Sequence, residues 1–153
     1  MKTTELTQAV TTAPAAVLTI SGLRLVLPER EIHAQEAVSA VDARQAEPYS
    51  VGWLQHAQQR WPVYCLSQEL SLLAAMPAER STCALLGTHD GYMGILCDEV
   101  STGQSIDPQQ DLPPAMHMPD TPIQGLIALD EDRIACVTSA ERLAAHVARM
   151  AGA

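Results

Sequence analysis

Apolar residues fall in short runs separated by turn residues, the pattern of strands joined by hairpins. Residues 17–20 and 23–27 flank Ser21-Gly22, a two-residue loop suited to a tight primed turn. That spacing sets Ile20 opposite Leu23 and Leu18 opposite Leu25, so large apolar side chains share one face. The other face carries Thr19 and Arg24 beside Val17 and Val26, and Pro28 blocks further pairing. A second pair, residues 51–56 and 60–66, places Leu54 roughly opposite Trp61. Its connection, Ala57-Gln58, has neither the Gly nor the Asn that a tight turn prefers, which suggests a wider loop including His56 and Gln59. Trp53 and Trp61 differ in parity around that loop, so they are expected on opposite faces.

A third hairpin joins residues 82–88 to 92–100 around His89-Asp90-Gly91. With Asp90-Gly91 as the loop, Leu86 would face Ile95 and Gly87 would face Gly94. The fourth, residues 126–129 and 133–137, turns over Asp130-Glu131-Asp132, and its strands are apolar on both faces. Between these pairs the pattern predicts a short turn or helix over residues 29–38 and a polar loop over 42–50. It also predicts a helix over 67–75, capped by Ser67 and stopped by Pro77, and a long Pro-rich connection over 101–122. A closing helix follows Thr138-x-x-Glu141, a capping-box pattern that Ser139 could replace one residue later. Leu143, Val147 and Met150 form its apolar stripe. Many hairpins with no helical crossovers argue for a mainly β barrel or sandwich.

Composition narrows the function classes. The chain has 153 residues, enough for one domain with its own core, and no Phe, so Leu, Ile, Val, Ala and Met must fill it. The formal charge is −9, with Lys2 as the single lysine and the arginines scattered, which disfavours nucleic acid and anionic membranes as partners. No apolar run reaches the length of a membrane span. The run at residues 13–20 follows Glu5, Gln8 and several Thr instead of a basic segment, so a signal peptide is not expected there; residues 1–14 read as a disordered lead-in to a single domain over 15–150. Cys65, Cys83, Cys97 and Cys136 are widely spaced, with no C-x-x-C, and are expected to be reduced structural thiols of a cytoplasmic protein.

Three segments, in order, resemble the CheW-like domain family over about residues 16–146. The family's middle segment runs Gly-(apolar)-(apolar)-Asn-Leu-Arg-Gly-x-x-x-Pro-Val-x-Asp-Leu; Gly52, Pro62, Val63 and Leu66 stand at its spacing. A second, Gly-(apolar)-(apolar)-Val-Asp-x-Val, is similar to Gly94-Ile95-Leu96-Cys97-Asp98-Glu99-Val100. A third is similar to Gly125-Leu126-Ile127-Ala128-Leu129-Asp130, with Arg133 and Leu143 in place. The resemblance implies two intertwined five-stranded SH3-like β-barrels with short helices and a C-terminal helix. It also implies a non-catalytic adaptor that couples the regulatory domain of a chemotaxis-type histidine kinase to a chemoreceptor's cytoplasmic tip, without metal or cofactor. The departures are specific: Asn-Leu-Arg-Gly is Gln55-His56-Ala57-Gln58 here, the Asp before the first helix is Cys65, and the residue opening the last helix is Ser139. The resemblance places the lost Arg on the receptor- and array-contacting surface, so Gln55, His56, Gln58 and Arg60 are the expected partner contacts. A divergent adaptor, by analogy one serving a type IV pilus (twitching) system, fits this pattern.

A small thiol enzyme would use Cys65 with His56, which sit on neighbouring strands of one hairpin; no oxyanion site or orienting third group accompanies them. Met116-His117-Met118 with Asp120 offers soft copper ligands but no second His or Cys nearby. Asp130-Glu131-Asp132 lacks the spacing and turn Gly of a calcium loop. A degenerate, purely structural module is the remaining alternative.

Overall fold

A computed structural model describes residues 14–44, 49–88, 91–104, 110–111, 121–129 and 133–152. The chain starts one sheet with β1 (Ala15–Ile20) and β2 (Leu23–Pro28). It then builds a second sheet from β3 (Ile32–Ala37), β4 (Gly52–His56), β5 (Gln59–Tyr64), β6 (Thr82–Thr88) and β7 (Gly91–Cys97). It returns to the first sheet with β8 (Glu99–Gln104), β9 (Gln110–Asp111), β10 (Gly125–Ala128) and β11 (Ile134–Val137), and ends in helix α1 (Ala140–Gly152). The strand orders are β8-β1-β2-β11-β10-β9 and β3-β6-β7-β5-β4. The first sheet is thus five strands with the two-residue β9 added at its edge.

Each sheet curls around its own apolar cluster. Val51, Leu54, Trp61, Val63, Cys65, Cys83, Leu85 and Leu96 fill the second. A backbone pair closes it, Asp42 N–H donating to Trp53 O at 2.7 Å and Trp53 N–H to Asp42 O at 2.9 Å, so β4 meets the chain that continues from β3. Ala15, Val17, Val26, Ile127, Ala135 and Val137 line the inside of the first. A third, larger cluster lies between the sheets: Leu18, Ile20, Leu25 and Leu27 from one meet Ala84, Leu86, Met93, Ile95 and Cys97 from the other. Leu143 and Val147 of α1 seal that shared core, with Met150 packed on its margin. Ser139 caps the helix, its Oγ accepting from Arg142 N–H at 3.1 Å, and Glu31 Oε1 takes the Ala140 N–H at 2.7 Å. The two barrels and the closing helix therefore match the expected architecture.

The first hairpin has the expected register, Ile20 with Leu23 and Leu18 with Leu25. Elsewhere the structure corrects the sequence reading. Residues 67–75 form no helix: Ser67 Oγ accepts the N–H of Glu69 and of Ser71 in a tight turn, and Leu70 takes φ +63°. The Leu66–Leu72 bridge and the Leu73 N–H to Cys65 O bond tie that turn down, with Leu66 and Leu70 in the shared core. Residues 29–38 contain a 3-10 turn (Glu29–Glu31) and then β3, whose half-buried and exposed residues alternate because one face covers the second barrel. The third hairpin pairs Leu86 with Met93 and Gly87 with Tyr92, two residues out from the expected register but on the same faces. Its partner strand is broken at Asp98, where β7 ends and β8 crosses to the other barrel. The expected loop over 101–122 contributes the rest of β8 and β9. The lead-in at residues 1–13, the tips at 89–90 and 130–132, and Met116-His117-Met118 with Asp120 lie outside the described residues.

Candidate partner-binding surface

The β4–β5 hairpin carries all four residues singled out as contacts. Trp53 pairs with Pro62, Leu54 with Trp61, Gln55 with Arg60 and His56 with Gln59. The loop is therefore the two-residue Ala57-Gln58, tighter than its composition suggested, with φ +53° and +66°. Left-handed backbone costs a non-glycine residue about 1–2 kcal/mol. Packing beyond the turn sustains it: Leu54, Trp61 and Val63 are buried, and Trp61 Nε1–H donates to His56 O at 3.1 Å, directly before the turn.

Alternation then divides the four residues. Gln55 and Arg60 point outward with Trp53 and Pro62; Gln58 stands exposed at the tip. His56 faces the other way, where its Nδ1 lies 3.0 Å from Glu36 Oε2 of β3 and its ring meets Trp61 edge-on at 6.0 Å. The two tryptophans separate as parity predicted, Trp61 2% exposed and Trp53 partly exposed. On the outer face the Arg60 guanidinium carbon sits 4.2 Å from the centroid of the Trp53 ring. Trp53 Nε1–H donates to Arg44 O at 3.1 Å, and Arg44 in turn holds Asp42 through Nη2–Oδ2 at 3.0 Å and Nε–Oδ1 at 3.1 Å. Hydrogen bonds from Arg44 keep the Asp42 carboxyl below its usual range, and the charges of Arg44 and Arg60 add smaller pulls.

The register takes Cys65 and His56 apart. His56 pairs with Gln59, and Cys65 lies six residues further along that strand, about 20 Å at the usual rise. The Cys65 thiol is fully buried and accepts from Arg80 Nη1 at 3.2 Å; burial pushes its pKa up, against the opposing pull of Arg80. Cys83 is pushed up to about 12 by burial, with Glu36 adding to the rise. A thiolate–imidazole pair has no geometric basis here. Among the described residues no three metal-ligating side chains come together.

A polar cluster between the barrels escaped the sequence reading. The Arg80 side chain is fully buried, its Nη2–H donating to Ser21 Oγ at 2.8 Å and its Nη1–H to Leu96 O at 3.3 Å. Arg80 Nε lies 2.9 Å from Asp98 Oδ1; neither atom makes an aligned hydrogen bond, so the contact is Coulombic. Asp98 Oδ2 accepts the Ser21 N–H at 3.0 Å, which fixes the tip of the first hairpin to the second barrel. The one available signal was Asp98 itself, a carboxylate interrupting an apolar run.

The chain is similar in fold to the scaffolding protein TtCheW from Thermoanaerobacter tengcongensis, with TM-score 0.64 and 15% identity over 83% of this chain and 88% of that one. A search of the curated proteins found no match. The family model for the CheW-like domain matches residues 15–148, which contain both barrels and most of α1, and it supports a scaffold or adaptor role in chemotaxis. On that match the chain belongs to the CheW-like domain family.

Proposed function

We propose that residues 15–150 form one non-catalytic, cytoplasmic adaptor domain that couples the regulatory domain of a chemotaxis-type histidine kinase to a receptor's cytoplasmic tip, in a system such as that of a type IV pilus. The family match over nearly all of the described chain carries this reading. Interior volume is taken up by apolar clusters and the Arg80–Asp98 contact, and none of the four thiols is disulfide-bonded. What the molecule offers a partner is its outer surface, and the β4–β5 hairpin projects Gln55, Gln58 and Arg60 from it, with His56 next to the turn on the opposite face. No described helix is long and apolar enough to cross a membrane.

The test uses the regulatory domain of a chemotaxis-type histidine kinase and the cytoplasmic tip of a chemoreceptor, both from the organism that carries this chain. Alanine at Gln55, His56, Gln58 and Arg60 together is expected to weaken capture of at least one of them by about tenfold, a loss near 1.4 kcal/mol. Unchanged binding to both sinks the hairpin as the contact. Binding of the kinase with no effect on its phosphorylation rate would favour a purely structural module instead.

A further inference from the structure

The outward face of the β4–β5 hairpin is built to hold one cation still. Arg60 is exposed, yet its guanidinium is parked over Trp53 instead of moving free in water. Trp53 is itself fixed, by its indole bond to Arg44 O and by the two backbone bonds to Asp42 that close the barrel. Arg44 spends its charge on Asp42. Among the described residues no carboxylate stands within ion-pair distance of Arg60. A stacked guanidinium keeps its N–H fork available, and the entropy of ordering the side chain is already lost before a ligand arrives. Beside it lies a cleft of about 230 Å³ lined by Trp53, Arg60, Pro62 and Tyr64, and Gln55 stands directly across the strand pair with an amide that can both donate and accept.

We propose that this face reads a carboxylate of a partner protein, with Arg60 as the ligand to the carboxylate, Trp53 as its platform and the cleft taking the apolar residue next to the acid. The inference rests on the reading of the hairpin as a docking surface and names the chemistry docked there. A carboxylate fits better than a phosphate, because a doubly charged group calls for more than one free arginine and Arg44 is engaged. The rest of the molecule sharpens the choice. A chain of net charge −9 repels an acidic segment over most of its surface, so encounter is steered to the face where Arg60 has no ion-pair partner among the described residues.

The two tryptophans, Trp53 and Trp61, give two indole N–H signals in an amide correlation spectrum, one on each side of the hairpin. The probe is a blocked pentapeptide alternating Glu and Leu, with its Gln-for-Glu counterpart as control. The acidic peptide is expected to move the Trp53 indole and Arg60 Nε signals while leaving Trp61 in place, and the Gln peptide to move none. Raising salt from about 0.05 to 0.5 M should weaken the shift several-fold. Arg60→Gln should abolish it, and Arg60→Lys should weaken it about tenfold, since an ammonium has no fork. Equal response to both peptides, response of the Arg60→Gln protein, or no response at all overturns the proposal. If Arg60→Gln still lowers capture of the natural partner while the peptide is inert, the carboxylate chemistry fails and the docking surface stands. If the peptide binds while the fourfold alanine protein retains both natural partners, the adaptor reading of the hairpin fails instead. Self-association of the free protein that Arg60→Gln dissolves would assign the face to a second copy and also overturn the proposal.

Discussion

The β1–β2 and β4–β5 hairpins make the same turn for different reasons. Each joins its strands through two left-handed residues, Ser21 and Gly22 at φ +50° and +92°, Ala57 and Gln58 at +53° and +66°. Only the first uses a glycine. Its tip is also locked from outside, by Asp98 on the Ser21 N–H and by Arg80 on the Ser21 hydroxyl, so it serves as a joint between the barrels. The second tip is exposed, and what holds it is the burial of Leu54, Trp61 and Val63 behind it. Local chemistry chose one turn; strand packing imposed the other. The imposed turn belongs to the hairpin that faces outward with Gln55, Gln58 and Arg60.

Removing the lock should separate the two hairpins most. Arg80→Ala leaves Asp98 short of its charge partner and opens a large hole at the joint. The expected loss is about 3 kcal/mol, near the low end for a broken buried pair because Asp98 keeps 23% of its side-chain exposure. Urea unfolding measures it, and Arg80→Met with Asp98→Ala should recover much of the loss. A loss below about 1 kcal/mol would mean that the joint is held by apolar packing alone.

Alkaline pH should act next, and mainly on the barrel that bears the outward hairpin. Cys65 and Cys83 are buried inside it and Cys97 on its shared-core face, and burial raises the pKa of each. With folded values above the unfolded one, the stabilisation is complete below about pH 9 and is lost as pH rises toward the folded values, about 12 for Cys83. Stability should fall from about pH 9 upward, at most about 1.4 kcal/mol per pH unit for each thiol. Cys83→Ser would remove one such contribution to the slope; an unchanged slope would show that the native thiols ionise freely.

The smallest effects should have opposite signs at the two turns. Gln58→Gly relieves a left-handed side chain and should stabilise the fold by about 1 kcal/mol, whereas Gly22→Ala introduces one and should cost about the same. A side chain at Gly22 meets nothing within 4 Å, so its cost is conformational and not steric. Thermal melts of the two variants decide this, and shifts of the same sign would end the contrast between the turns.

Much of the fold was legible because period-2 alternation and turn residues are local signals. Ser21-Gly22 fixed the register of the first hairpin, and Thr138-Ser139 marked the start of α1, where Ser139 caps and the Thr138 hydroxyl instead donates to Pro122 O. Other features failed where local and distant demands diverge. Ser67 does cap, but it closes a turn, because Leu66 and Leu70 are both drawn into the shared core. β3 went unread, since three of its six residues are half-buried, the other three are exposed, and its strand identity comes from pairing with β6. For the surface, the residues of the outward hairpin were legible, while the stacking of Arg60 on Trp53 and the turning of His56 toward Glu36 were not.

The sequence by itself determined the mainly β class, the four strand pairs, the faces of Trp53 and Trp61, and an acidic chain poor in lysine. These follow from the spacing and kind of neighbouring residues. Only the tertiary structure decided that Arg80 would be buried against Asp98 and that Asp98 would carry the chain from one barrel to the other. It also decided that a turn without glycine would close as tightly as one with it. Each of those depends on groups far apart in the chain, where the interactions gained by packing outweigh what the local residues prefer.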